Sequence, residues 1–402
     1  MAEELADQPD GMAEELAESA EFTFTDEQNQ LRAAVRAFCA EQIDESAVRA
    51  SMTSDPPFDP KVWARLGSEL GVLGLAVPED DGGAGGSLVD QAVAVEELGA
   101  ALACGPLFGT VYLAIPALVA ASAGGDLLAP LVEGTRTAAL AVGDVAGAFD
   151  ATAIRVQAVP ADQDWALTGT VERVVDAGAA DTLLVAATGP DGVGLYAVDT
   201  DGPGVQRLSL NTLDLTRPQA TVELRDAPGR LVAGPDEADR VITHALQVGS
   251  ALLAVEQVGA AQHLLDLSVE YAKGRLQFGR AIGSFQAVKH RLADDLVALE
   301  HARSTAYHAI WALTDGSDDP ALAVSIAQAT CSAAFTRVAT DTIQVHGGIG
   351  FTWEHQAHLY YKRAYTDAAL LGTAEQHRDR VAEMVLGDPG KDAPRVATGV
   401  SR

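Results

Sequence analysis

Residues 273–291 read KGRLQFGRAIGSFQAVKHR and break a long helical pattern at the glycines of 279–283. The stretch has five Lys or Arg and no Asp or Glu, in a chain of 402 residues with 27 Lys+Arg, 57 Asp+Glu and a formal charge of −30. A basic loop at a helix junction indicates a phosphate or pyrophosphate site, because N–H groups at the next helix N-terminus add to the side-chain cations. The alternative that composition leaves open is a solvated positive patch paired with an acidic neighbour.

A second glycine-rich stretch, QVHGGIGF at residues 344–351, ends another long helical pattern. Its three glycines permit a sharp turn and a close approach of a ligand to the backbone. The alternative is a helix C-cap followed by a tight turn. A Rossmann fingerprint is excluded, because no strand precedes the glycines.

Outward from these two stretches, the chain is helical, then β, then helical again. Apolar residues recur at helical spacings in segments near 25–38, 60–70, 88–98 and 110–121. Between about 137 and 232 the period changes to two in short runs bounded by turn residues, which predicts about seven strands in one β module. Four long segments then predict a helical bundle, at 237–275, 285–312, 320–345 and 373–386.

Composition excludes several classes of protein. The large negative charge argues against a nucleic-acid binder, and 48% hydrophobic with only 21% charged residues excludes global disorder. No apolar run of about 18 residues is free of charges or turn formers, and the acidic N-terminus is unlike a signal peptide. We therefore expect a cytoplasmic protein without membrane insertion. The three separated cysteines predict no zinc site, and the histidines, among them His355 and His358, are interpreted as surface or interface groups rather than metal ligands.

Taken together, the two glycine-containing stretches resemble motifs of the acyl-CoA dehydrogenases. The RxxFGxxIGxFQ pattern of that family is matched from Arg275 to Gln286, and its QxxGGxG pattern from Gln344 to Gly350. Weaker matches are LGVLGLAVPEDDGGAGGS at 70–87, VEELG at 95–99 and GTAEQHR at 372–378. The matches occur in the family's order over about residues 25–383.

The resemblance implies an α+β multidomain fold with an N-terminal helical domain, a middle β-barrel and a C-terminal four-helix bundle. Together with the periodicity it predicts a disordered acidic leader at 1–21, a helical domain at 22–135, a barrel at 136–235, a bundle at 236–388 and a tail at 389–402. It also implies a tetramer with FAD at subunit interfaces.

Eight positions match FAD-contact positions of the family: Arg275, Phe278, Gln286, Gln344, Gly347, Gly348, Thr373 and Glu375. By the resemblance, the arginine is expected to face the FAD pyrophosphate, the phenylalanine the flavin region and Gln286 the adenine end. Gln344 and the two glycines are expected at the pyrophosphate of a neighbouring subunit's cofactor.

The implied reaction removes hydrogen across the α and β carbons of an acyl-CoA thioester. A carboxylate takes the α-proton, and the β-hydrogen leaves as hydride to the flavin. The usual position of that base, immediately before Gly-Thr, is Leu371 here, and an alternative family position falls at or near Gly249. Among nearby acids, Glu256 is a weak candidate, interpreted as a hydrogen-bonded core residue, and Asp367 is interpreted as a surface or capping acid. The catalytic residue is unassigned.

The β module departs from the family as well. The family's flavin-binding TEPxAGSD stretch is replaced by AVGDVAGAFD at 141–150, and the aromatic residue that shields the flavin falls among Glu172, Arg173 and Val174.

Loss of the base and of the flavin-facing loop, with retention of the interface motifs, favours one subunit of a mixed tetramer whose partner supplies both features. The resemblance implies an acyl-CoA substrate and an electron-accepting flavoprotein; such two-gene members are known in bacterial degradation of steroid side chains and similar bulky acyl groups. One alternative is a self-sufficient homotetramer with an unplaced base. Another is a non-catalytic assembly protein of the same fold.

Overall fold

The computed structural model describes residues 23–387, apart from 123–124, 144–147, 162–163 and 317. The predicted leader at 1–21 and tail at 389–402 lie outside the described residues. The expected order of a helical region, a β region and a second helical region is confirmed.

The N-terminal region is helical because apolar residues recur at helical spacing behind strong caps. Thr25 begins the first helix with a capping box, in which its hydroxyl accepts the N–H of Gln28 and the Gln28 side chain accepts the N–H of Thr25. The helices are α1 (Asp26–Gln42), α2 (Glu45–Ser51), α3 (Pro60–Ser68), α4 (Leu88–Ala100), a π-helix (Leu107–Ala114), α5 (Ile115–Ala120) and α6 (Gly125–Val132).

The segment predicted as one regular helix at 110–121 is instead a π-helix followed by α5. Pro116 lies in the first turn of α5, where it lacks an N–H and its ring would clash with the carbonyl four residues earlier. A wider π-turn upstream accommodates this clash, and such turns are frequent at functional sites.

The middle region is a β-barrel built from β1 (Ala138–Ala141), β2 (Gln157–Ala161), β3 (Asp164–Val175), β4 (Thr182–Gly189), β5 (Gly192–Asp199), β6 (Val205–Ser209) and β7 (Gln219–Ala233). The pairings run β4–β2–β3–β7–β5, and β5 pairs again with β4, which closes the sheet. β1 extends the sheet beside β4, and β6 pairs with β7. Inward-facing apolar residues such as Leu167, Leu183 and Val222 are fully buried between the strands.

The C-terminal region contains α7 (Ala238–Gly274), a hairpin of β8 (Leu276–Gln277) and β9 (Arg280–Ala281), α8 (Gln286–Asp315), α9 (Pro320–His346), α10 (Ala357–Asp367) and α11 (Ala374–Leu386). α7, α8 and α9 pack on one another, and α11 packs on α9. By length and composition alone α7 and a segment at 320–351 are apolar enough to cross a membrane, but 83% and 61% of those windows are buried inside the protein. Burial in the bundle accounts for their apolar character.

Candidate functional site

The basic stretch forms an exposed hairpin between α7 and α8. Its two-residue loop consists of Phe278 and Gly279, with φ of 52° and 77°. Two consecutive left-handed residues are typical of a type I′ turn, and only the second is a glycine. The Phe278 side chain lies at the tip with 92% of its surface exposed. This ring is accessible to a ligand or to another chain.

Two of the five cations are neutralised within the chain: Lys273 pairs with Glu270 at 2.6 Å, and Arg291 pairs with Asp341. Arg275, Arg280 and Lys289 form no ion pair with any residue that the structure describes. The interpretation as a positive patch paired with acidic neighbours therefore fits only part of the stretch.

Gln286 begins α8 directly after the hairpin. The preceding residue, Phe285, provides no side-chain cap, and its carbonyl oxygen accepts the N–H groups of Val288 and Lys289. Among the described residues, the N–H groups of Gln286 and Ala287 therefore have no acceptor and are open to an external one. The guanidinium of Arg280 stacks on the Phe285 ring, 4.1 Å from its centroid. Three unneutralised cations beside an uncapped helix N-terminus fit the diphosphate of a dinucleotide.

The second glycine stretch lies at the C-terminus of α9. Gly347 has a φ of 62° and a ψ of −138°, which ends the helix, and a Cβ added at Gly347 or Gly348 would meet no atom within 4 Å. Gln344 is exposed, and Phe351 and Trp353 follow with 81% and 62% of their surfaces exposed. This end of α9 is an open surface with two large exposed aromatic side chains.

Leu371, at the usual position of the base, lines a cleft of about 520 Å³ between the barrel and the helices. Its φ is 56°, and its carbonyl oxygen accepts a hydrogen bond from Nε2 of His377 at 2.9 Å. Residues from the barrel, the π-helix, α7 and the segment after α10 form the walls. The walls combine aliphatic side chains, among them Leu113, Leu140, Leu213, Leu246 and Leu370, with polar ones such as Arg173, Thr212 and Gln219.

Glu172 is the one carboxylate among the residues that line this cleft in the described part of the chain. It lies at the rim with 68% of its side chain exposed, 3.5 Å from Arg173. At the alternative base position, Gly249 packs against the π-helix, where a Cβ would clash with the Leu113 side chain and lie 3.2 Å from the Tyr112 carbonyl oxygen. An acidic side chain has no room at that position.

Glu256 lies in a buried charge cluster formed by Asp176, Asp214, Arg217, Glu256, Arg363 and Asp367. Its carboxylate accepts hydrogen bonds from Arg217 at 2.6 and 2.7 Å, and from Arg363 at 2.5 Å. Burial acts to raise its pKa, but the two guanidinium groups outweigh burial and hold the pKa of Glu256 at about 2. Glu256 does not line the cleft that contains Leu371.

The interpretation of Asp367 as a surface or capping acid is wrong. Its side chain is fully buried, and its Oδ1 lies 3.1 Å from Nη1 of Arg217. Among the described residues, no donor forms a hydrogen bond with either oxygen, and burial raises the pKa of Asp367 to about 7. Burial likewise raises the pKa of Asp176 to about 6. No sequence pattern indicated this cluster, because its members come from the barrel, α7 and α10.

Thr373 and Glu375 lie at the start of α11. The Thr373 hydroxyl accepts the N–H of Gln376 at 3.3 Å, as the N-cap of a capping box, and Glu375 is exposed in the first turn. Thr373 thus has a structural role here independent of any ligand. Of the replaced 141–150 stretch, Val142 and Gly143 line the cleft, whereas 144–147 lie outside the described residues.

The histidines form no metal site in the described ranges: these contain no group of three or more His, Cys, Asp or Glu that could hold an ion. His358, expected to be a surface or interface group, is instead buried, and its ring lies edge-on to Trp353 at a centroid distance of 4.6 Å. Burial and the nearby Lys362 lower the pKa of His358 to about 4. It is neutral at physiological pH.

Comparison with known proteins agrees with this geometry. The family profile "Acyl-CoA dehydrogenase, C-terminal domain" matches residues 240–386, and "Acyl-CoA dehydrogenase, N-terminal domain" matches residues 25–123. Acyl-CoA dehydrogenase IpdE2 of Mycobacterium tuberculosis is 35% identical over 368 residues, which cover 92% of this chain and 100% of that protein.

Two solved structures have the same fold. The ChsE4-ChsE5 complex from Mycobacterium tuberculosis has a TM-score of 0.82 at 29% identity, over 92% of this chain and 100% of that chain. A variant of the Tcur3481-Tcur3483 steroid ACAD has a TM-score of 0.80 at 31% identity, over 90% of this chain and 98% of that chain. The chain therefore belongs to the acyl-CoA dehydrogenases, a family of FAD-dependent oxidoreductases.

Proposed function

We propose that this chain is one subunit of a mixed acyl-CoA dehydrogenase assembly, in which a partner chain supplies the catalytic base. The observation that carries the proposal is the cleft at Leu371, whose sole carboxylate among the described lining residues is the exposed, ion-paired Glu172. A base for the α-proton has to reach the substrate in this cleft. Leucine cannot abstract a proton.

Glu256 does not replace the missing base. It is 2% exposed and lies outside the cleft lining. Its carboxylate oxygens accept hydrogen bonds from two guanidinium groups and the Tyr112 hydroxyl. A carboxylate with a pKa near 2 is also a weak proton acceptor. A base from another chain accounts for both observations.

FAD, when bound, accepts the β-hydrogen of the acyl group as hydride. Arg275 and the first turn of α8 would hold its diphosphate, with Gln286 at the adenine end and Phe278 close to the ring system. Gln344, Gly347 and Gly348, together with Thr373 and Glu375, would contact the cofactor across a subunit interface. The unneutralised cations and the open backbone at both glycine stretches support this assignment.

We extend the proposal to the substrate: a CoA thioester with a bulky polycyclic acyl group. The leucine side chains in the cleft offer an apolar ring system a contact surface, and one of the similar structures is named a steroid ACAD. A second similar structure is a complex of two different chains, ChsE4 and ChsE5. We further propose a cytoplasmic location and transfer of the electrons to a separate flavoprotein.

The test compares the chain purified alone with the chain co-expressed with a second acyl-CoA dehydrogenase from the same genome. FAD content and acyl-CoA-dependent dye reduction are measured in both preparations. We expect dye reduction only from the co-purified pair. Full activity of the lone chain would establish a self-sufficient enzyme instead, and a pair that contains no flavin would indicate a non-catalytic assembly protein.

A further inference from the structure

Glu256 connects two groups that lie behind the cleft wall. Its carboxylate accepts the Tyr112 hydroxyl at 2.8 Å and Nη2 of Arg217 at 2.6 and 2.7 Å. All three side chains are nearly inaccessible to solvent. The carboxylate therefore fixes the position of one aromatic ring and one guanidinium group relative to each other.

Both of these groups pack on Phe108. The Arg217 guanidinium carbon lies 5.1 Å from the centroid of the Phe108 ring, and the Tyr112 ring meets it edge-on at a centroid distance of 6.0 Å and an angle of 60°. Phe108 itself lines the cleft. Its ring is thus supported by two partners that both bind Glu256.

The charge cluster also holds the backbone around Phe108. The N–H of Gly109 donates to Oδ2 of Asp176 at 2.9 Å, which pins the π-helix next to the ring. Other cleft residues directly adjoin members of the cluster along the chain: Leu213 precedes Asp214, and Thr366 precedes Asp367. A charged, hydrogen-bonded layer therefore lies directly behind this part of the cleft lining.

We propose that Glu256 is a positioning residue: through Arg217 and Tyr112 it holds the Phe108 ring in the cleft wall and thereby sets the affinity of the cleft for an apolar acyl group. Glu256 then acts on binding and takes no part in proton transfer. The inference rests on the acyl-binding role of the cleft in the proposed function and is independent of which chain supplies the base.

The chain offers a matched control in Glu96. This buried carboxylate also binds two arginines and a tyrosine, namely Arg32 at 2.8 Å, Arg303 and the Tyr307 hydroxyl at 2.6 Å. Glu96 does not line the cleft. Glu96→Gln and Glu256→Gln therefore remove equivalent charges from equivalent networks, and only the second network supports Phe108.

The experiment measures binding of cholate, a soluble steroid carboxylate, to the full chain by isothermal titration calorimetry, with thermal midpoints as a record of stability. The variants are Glu256→Gln, Glu96→Gln, Phe108→Leu and the double variant Phe108→Leu/Glu256→Gln. Both glutamine variants should lower the thermal midpoint. We expect about a tenfold loss of cholate affinity for Glu256→Gln, because the ring loses its cationic and aromatic support, and less than about a twofold loss for Glu96→Gln.

In the Phe108→Leu background, Glu256→Gln should cause no further loss of affinity, since Glu256 acts through the ring. The proposal is overturned if Glu96→Gln weakens binding as much as Glu256→Gln, if the losses multiply in the double variant, or if the unmodified chain does not bind cholate. Turnover by the lone chain would contradict the proposed function. The inference about Glu256 is decided separately, by the cholate-binding measurements alone.

Discussion

At the scale of single residues, Leu371 occupies the position that the resemblance assigns to the base, and the backbone there has an unusual conformation. Leu371 and Gly372 both have positive φ, 56° and 103°. A non-glycine residue in this region costs about 1 kcal/mol or more, and the hydrogen bond from His377 to the Leu371 carbonyl helps to hold it. The segment still presents residue 371 to the cleft, and the side chain there is apolar.

A second feature at this scale is the pH response of Asp367. Burial raises its pKa in the folded chain to about 7 from the ordinary value of 3.8. Between these pH values the folded state keeps a proton that the unfolded state has lost. The free energy of unfolding therefore falls as pH rises through this window. Asp367→Asn removes this contribution. The free energy of unfolding of the variant, relative to that of the unmodified chain, should therefore rise by about 2–3 kcal/mol between pH 5 and pH 8. Urea unfolding at both pH values measures it.

The exposed Asp201→Asn serves as the control and should show no such gain. Burial also raises the pKa of Asp176, to about 6. Asp176 therefore adds a smaller decrease of the free energy of unfolding with pH, which is the same in every variant. A difference between Asp367→Asn and the unmodified chain that stays constant with pH would mean that Asp367 is ionised throughout.

At the scale of elements, the hairpin between α7 and α8 and the residues beside it carry both ion-paired and unpaired cations. Arg275 has no ion pair among the described residues, whereas Lys273, two residues earlier, pairs with Glu270. Arg275→Ala should weaken FAD binding by about tenfold or more, the size expected for a charge-assisted hydrogen bond to a phosphate. Lys273→Ala should change it less than about twofold. FAD binding by both variants is measured in the preparation that contains flavin, from the FAD retained after gel filtration and by flavin fluorescence titration. Equal losses in the two variants would contradict the assignment of Arg275.

At the scale of the whole molecule, the exposed aromatic side chains mark surfaces that an assembly would cover. Phe278 and Phe351 are 92% and 81% exposed at the two glycine-containing stretches. Apolar side chains of this size at the centre of an interface carry much of the binding free energy. Phe351→Ser should therefore shift the sedimentation coefficient of the assembly towards that of the 41.7 kDa chain and reduce its FAD content in parallel.

Val159→Ser provides the comparison, because Val159 is 53% exposed on the barrel, away from both stretches in sequence. It should leave the sedimentation coefficient and the flavin content unchanged. An assembly that loses flavin on Phe351→Ser without dissociating would place the aromatic residue at the cofactor but outside the interface.

The sequence predicted the elements well where periodicity is long and caps are strong. The segment predicted at 237–275 is Ala238–Gly274, and the one at 320–345 is Pro320–His346. The short helix α10 and the π-helix were not predicted as such, because one depends on packing against α7 and α9 and the other on the local effect of Pro116. The spacing of apolar residues along the sequence reveals neither the packing of α10 nor the effect of Pro116.

The sequence by itself determined the three-region layout, the family and the residue at the usual base position, because these depend on local periodicity and on side chains in ordered motifs. Only the tertiary structure decided that Glu256, Asp367 and Arg363 share one buried cluster with Arg217, and that this cluster supports the cleft through Phe108. Charged residues that lie far apart in the sequence, such as Glu256 and Arg363, carry no mark of their partners. Burial makes such pairing compulsory, and the chain's path determines which partners meet.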